Sequence, residues 1–362
     1  LFMIGLASCN DYLEVVPKDQ VTDATVWANT TNADMFLNTV YGALPTPFNV
    51  TDPDEDRTDN ELAKPTYATT VVYKKSAYTA SSPGTQTQWG NYTNIRRANM
   101  FIEKVTASSL PDDYKKVRIA EARFLRAYYY MLLWTHYGGV PIIKNVLNIS
   151  EQGDAVFQPR NTDAETYKFI SDECAAIAND LPNAQGNGRV TKGAALTLKG
   201  WVELFNASPL KNPTNDKARW ALAAATNKQV MDLGVYKLFP DYETMLYEAN
   251  EKNNEVIFAK EHLAGIAGMA SSKEGYWGAY KVGGSQQSFC GHQPTHDMVD
   301  AYRMRNGKSI TDPASGYDPQ NPYVNREKRF YSSILYDGSV WLGYTLVMKQ
   351  GVGSDNATDL NN

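Results

Sequence analysis

The chain has 362 residues, 43% of them apolar and 21% charged, with a formal net charge of −5. The apolar share supports a sizeable core, in one large or two ordinary domains, and the small acidic excess gives no electrostatic reason to expect nucleic acid. Three cysteines (Cys9, Cys174 and Cys290) make no disulfide framework, and 23 tyrosines stand out in a composition that is 12% aromatic.

Residues 1–7 form an uncharged apolar run like the end of a signal-peptide core, and Leu6, Ala7, Ser8 and Cys9 fit a bacterial lipobox. The expectation is cleavage before Cys9 and lipidation there, with residues 1–8 the end of a lipoprotein signal peptide and 9–31 an extended leader. Acyl burial contributes about 0.8 kcal/mol per methylene, so several chains anchor a protein stably. No later stretch approaches the roughly 20 apolar residues that span a bilayer.

Helical periodicity dominates residues 32–234. Phe36, Leu37, Val40, Tyr41 and Leu44 share a face that Pro45 and Pro47 terminate. Residues 46–84 are polar and irregular, a loop length that marks function or disorder. Trp89, Tyr92, Ile95, Asn99, Ile102 and Val105 space as a second helix, and a third, apolar nearly all round, runs from Asp112 to a stop at Gly138 and Gly139. Its Tyr128, Tyr129 and Tyr130 point three amphipathic rings in different directions; Tyr129 and Trp134 are assigned to the core. The connector 140–159 carries an expected short strand at 141–143. Thr162 and Glu165 form a capping box for a helix bearing Ile170, Cys174 and Ile177. Thr191 caps another with Ala195, Leu198, Val202 and Phe205, and residues 216–233 carry Trp220, Ala223, Asn227, Val230 and Met231.

The predicted fold is therefore mostly α, made of tetratricopeptide-like antiparallel helix pairs over 32–234. Residues 235–362 read as a loop-rich, irregular lobe with short strands expected at 256–259, 333–336 and 341–347.

Catalytic and metal signatures are weak. His292 and His296 are four apart, but Pro294 lies between them and no Glu follows the first, so they read as loop histidines. No nucleophile elbow and no phosphate loop occur. The acidic run 52–56 lacks the later residues of a calcium loop, and no pair of carboxylates stands out for glycoside hydrolysis. Neither a cofactor nor a metal is expected. What remains is recognition: flat rings that cover the C–H face of a sugar, with amide groups for its hydroxyls. The candidates are Tyr73 and Tyr78 in the long loop, Trp89 and Asn94 at its exit, and Trp277 and Tyr280 among glycines of the lobe. Trp89 is equally readable as the start of a core stripe, whereas Trp277 and Tyr280, without periodicity, are expected to be exposed.

The stretch around Tyr128–Trp134, the leader after Cys9, and the segments at Arg189-Val190-Thr191, Met298–Tyr302 and Arg329-Phe330-Tyr331 together resemble the SusD/RagB family of outer-membrane nutrient-binding lipoproteins. The resemblance covers most of the chain. It implies a non-catalytic, cell-surface protein, lipid-anchored in the outer membrane, that binds an oligosaccharide and passes it to a SusC-like TonB-dependent transporter, with ligand contacts from both loop regions. A peptide ligand, as in the RagB branch, is the alternative; a glycoside hydrolase is a more distant one. Family members run on into closing helices, so the lobe is read as the start of the family's C-terminal domain, cut short either because the chain is a fragment or because the closing helix pair is absent.

Overall fold

The computed structural model describes residues 23–45, 54–63, 76–79, 81, 87–184, 188–261, 277–282, 285–286, 288 and 290–348. They fall into two compact units, one drawn from Leu1–Leu44 and Trp89–Leu233, the other from Pro45–Gln88 and Gly234–Asn362. Cys9, and with it the expected lipidation site, lies outside the described residues, as does Tyr73.

The first unit is helical: α1 (Asp23–Val26), α2 (Thr30–Gly42), α3 (Asn91–Ala107), α4 (Asp112–Tyr137), α5 (Ile149–Gln152), α6 (Asp163–Ile177), α7 (Lys192–Ala207) and α8 (Lys217–Asp232). The long helices pack in chain order, α3 on α4, α4 on α6, α6 on α7 and α7 on α8. The helix starts carry the caps that the sequence signals. Asn29 caps α2, Thr191 caps α7, and Thr162 and Glu165 complete a reciprocal capping box on α6.

Helix α4 is the axis of this unit. Phe124, Leu125, Tyr129, Tyr130, Leu133 and Trp134 are all buried along it, and each polar ring tip finds a partner, as a buried one must. Tyr129 donates to the Val40 carbonyl at 2.5 Å, Tyr130 accepts from the Ile143 N–H at 2.6 Å, and Trp134 donates to Asp163 at 3.0 Å. Buried charges on α4 are paired rather than isolated. Glu121 meets Arg118 and Arg189 and accepts from Tyr41, while Arg123 and Arg126 both grip Glu173 of α6. Burial pushes the Glu173 carboxyl up, but those two guanidinium groups outweigh it and hold it below the usual carboxylate range. Gly138 ends α4 at φ +70°. A Cβ on Gly139 would come within 2.1 Å of the Asn161 carbonyl oxygen, so this second glycine is required by close backbone approach.

Residues 141–143 form no strand. Side chains satisfy their backbone instead: Tyr92 and Tyr130 donate to Pro141, Asn99 donates to Ile143, and Asn161 accepts from Ile142. The last helix also departs from expectation. Ala223, Thr226 and Val230 face inward on α8, while Trp220 and Met231 are exposed.

The second unit is loop-rich, with three antiparallel two-stranded ribbons among its described residues: β1 (Glu61–Ala63) with β4 (His292–Pro294), β2 (Lys281–Val282) with β3 (Ser285–Gln286), and β5 (Val340–Trp341) with β6 (Tyr344–Thr345). Its described residues also include the short helices α9 (His296–Ala301) and α10 (Lys328–Ser333). Buried Arg326 ties this unit together, donating to the carbonyls of Pro322, Val299 and Tyr302 under the Phe330 ring. The strands expected at 256–259 and 333–336 do not form; Ser333 ends α10, and the Ile334 N–H closes back on Phe330. The run 341–347 folds as a hairpin because Leu342 and Gly343 turn at positive φ.

Candidate functional site

The candidate residues separate into two aromatic clusters, one in each unit. In the second unit the cluster is built on the β1–β4 ribbon. Its register sets Glu61 opposite Pro294 and Ala63 opposite His292. Residues two apart on a strand share a face, so Glu61 and His292 are diagonal neighbours on one face. Their side chains meet there, with Glu61 Oε1 2.8 Å from His292 Nδ1. The contact is close without being an in-line hydrogen bond, since that oxygen has no hydrogen-bond partner. It becomes an ion pair when the imidazole is protonated.

Trp277 closes this arrangement. Its Nε1–H donates to Glu61 Oε2 at 2.9 Å, and its ring lies flat on the His292 ring, 4.6 Å between centroids and 18° from parallel. The indole expected to be exposed is therefore half-buried, one face taken by an imidazole and its polar edge held by a carboxylate. Behind it the chain is pinned: Ser288 donates to the carbonyls of Gly278 and Ala279, and Ala279 packs with Leu346, Leu335, Trp341 and Met348. Tyr280, half-buried, follows directly. Tyr78 belongs to the same unit and is 54% exposed.

In the first unit, Trp89 precedes α3 instead of opening its buried stripe, and is 45% exposed. Tyr137, the last residue of α4, lies flat against it at 4.1 Å and 7°, and Tyr92 is nearly parallel at 6.3 Å. The Tyr92 hydroxyl donates to Pro141 at 2.7 Å, and burial pushes that phenol well up from its ordinary value. Arg160 donates to the carbonyls of Tyr137 and Gly139, placing a cation at the C-terminal end of α4 where its dipole favours one. Asn94 is half-buried one turn into α3, its side-chain oxygen 3.5 Å from Arg97.

The two indoles share a design. Each is backed by a flat protein ring, which fixes its plane. Sequence reasoning singled out both indoles but not the groups that back them. Tyr137 was available as the end of an aromatic helix. Glu61 lies in a polar stretch without periodicity, and His292 reads as a loop histidine until the pairing with β1 buries it. Among the described residues no three His, Cys, Asp or Glu side chains gather as a metal site, and no helix is long and apolar enough to cross a membrane.

Comparison with known proteins identifies the family. Residues 11–202 match a family model described as starch-binding, associating with outer membrane, and residues 254–362 match the model of the SusD family. The chain belongs to the SusD-like family. A SusD-like protein of Bacteroides ovatus is 25% identical over 265 residues, covering 70% of this chain and 47% of that one; SusD-like protein P38 of Formosa agariphila is 28% identical over 206 residues, covering 55% and 40%. A SusD-like crystal structure from Bacteroides fragilis, 25% identical, superposes with a TM-score of 0.70 over 90% of this chain and 64% of its own. A SusD-like carbohydrate-binding protein of the same species, 23% identical, gives 0.71 with the same coverage, so its likeness speaks to the fold. The mostly helical, tetratricopeptide-like architecture is that of these SusD-like neighbours. The chain spans about half the length of the curated relatives it matches.

Proposed function

We propose that this SusD-like chain is a non-catalytic binding protein that captures an oligosaccharide or polysaccharide through backed indole rings. The carrying observation is the pair of stacks, Trp277 on His292 and Trp89 on Tyr137. A pyranose ring has an apolar C–H face, and a flat ring fixed in plane receives it at little cost in rotamer entropy. Each stack is a contact of its own unit in this reading, with Tyr280, Tyr78 and Tyr73 as accessory contacts in the unit of Trp277 and Asn94 in that of Trp89. The family description, with its starch binding, and a laminarin-binding SusD-like protein of related fold (TM-score 0.53, 22% identical) name the first sugars to try.

The reading continues to the cell. Cys9 carries the lipid, the protein sits at the outer membrane facing outward, and a SusC-like TonB-dependent barrel receives the ligand. The family description's association with the outer membrane supports the location. Cys9→Ala should shift the protein from the membrane fraction to the soluble one.

Affinity electrophoresis in laminarin and in soluble starch, followed by a wider glycan panel, tests the core claim. Trp277→Ala is expected to weaken binding of the retained sugar by about 1–3 kcal/mol, the range for an anchoring aromatic. Unchanged affinity in a folded variant removes Trp277 from the site. Peptide binding without glycan binding would replace the ligand class, and release of reducing sugar would overturn the non-catalytic reading.

A further inference from the structure

The Trp277 indole is held at two points by side chains that come from elsewhere in the chain. Glu61 takes its N–H at 2.9 Å, and His292 takes one ring face. Both holders stand on the same face of the β1–β4 ribbon and touch each other at 2.8 Å. The His292 side chain is wholly buried and that of Glu61 is 13% exposed, which makes the ribbon face a fixed cradle. The N–H bond sets rotation about the ring normal, and the stack sets the plane. Together they remove the rotamer freedom that an indole in a glycine-flanked loop would otherwise lose only on binding.

We propose that Glu61 and His292 are positioning residues for the ligand-contacting face of Trp277. In this reading they touch no sugar; they hold the indole in the plane in which it meets the ligand. The inference rests on the reading of Trp277 as a sugar contact and adds the groups through which that contact is preorganised. It also restricts the geometry, since a ring with one face occupied by protein packs against a sugar from one side and cannot be sandwiched between two.

The test uses the full chain and two readouts. The first is solvent exchange of the Trp277 indole N–H in a nitrogen–proton correlation spectrum, its signal assigned by disappearance in Trp277→Phe. Exchange should be slow in the wild type, fast in Glu61→Ala, and slow again in Glu61→Gln, whose amide oxygen still accepts the bond. The second is affinity for laminarin and soluble starch. Glu61→Ala should weaken binding by about 2- to 10-fold, the cost of immobilising one side chain on binding, and Glu61→Gln should restore it. His292→Phe, which keeps a flat backing ring, should bind better than His292→Ala. Circular dichroism establishes that each variant is folded. Unchanged exchange in Glu61→Ala, or wild-type affinity in a variant whose N–H exchanges fast, overturns the proposal. If the wild type binds no sugar at all, the binding reading falls and takes the pair's purpose with it, while the exchange measurement still decides whether the pair holds the ring.

Discussion

Burial sets the protonation of the tyrosines around α4. Desolvation pushes the Tyr130 phenol from the ordinary 10.0 up to about 12, against the opposing pull of the Ile143 N–H and the Arg126 charge. Tyr129, Tyr92 and Tyr41 are driven upward as well, burial leading in each case. The neutral phenol is thus favoured in the folded state. Its contribution is fully present below pH 10 and is lost as pH rises toward 12, where the unfolded chain has already released a proton that the folded chain retains. The urea midpoint should therefore fall across that interval, and Tyr130→Phe should make the fall shallower. An equally steep fall in the variant would assign the effect to other groups. The core roles of Tyr129 and Trp134 were legible from helical spacing alone, because a helix apolar on all sides has nowhere to go but inward. Trp89 was not settled by its sequence. A stripe that continues one turn before the helix start places its first ring outside the helix, and spacing cannot tell that ring from a packed one.

At the scale of elements, caps were the most readable feature and short strands the least. The α6 capping box is local: Thr162 accepts from the Glu165 N–H at 3.2 Å, and Glu165 accepts from the Thr162 N–H at 2.7 Å. Thr162→Ala should destabilise by about 1 kcal/mol, read as a melting midpoint about 2–4 °C lower. Gly139→Ala should cost more, about 1–3 kcal/mol or beyond, because its Cβ would strike backbone atoms of Asn161 and Thr162 that cannot swing away. A melt indistinguishable from wild type for Gly139→Ala would mean that the connector shifts freely. Residues 141–143 show why strand reading failed. An apolar run after a proline has the composition of a strand, but tyrosine and asparagine side chains on α3 and α4, with Asn161, occupy the hydrogen-bonding groups a partner strand would need. Pairing of β1 with β4 was illegible for the opposite reason. Glu61, Leu62 and Ala63 carry no strand signal, and their partner lies far along the chain.

Over the whole molecule, the contrast between a helical unit with a dense core and a loop-rich one has a dynamic corollary. Local stability follows buried apolar contact and protected backbone. Native-state hydrogen exchange should find the slowest amides in α4, between Ala120 and Trp134, and faster ones in the β2–β3 ribbon. Comparable protection of the two would show that the second unit draws stability from a source other than its own packing. The division into a helical part and an irregular lobe was visible in composition, since periodicity fades after Val235 and glycine, asparagine and aromatic residues take over. What composition concealed is that residues 45–88, framed by helices on either side, contribute β1 to the other unit.

That excursion has an evolutionary consequence. The polypeptide crosses from one unit to the other after Leu44, returns at Trp89, and crosses again after Leu233. Recombination that exchanged the second unit for a relative's would have to splice three joints at once and keep every reading frame. Side-chain replacement in place is therefore the simpler route to change in such a thread than the shuffling of interchangeable cassettes.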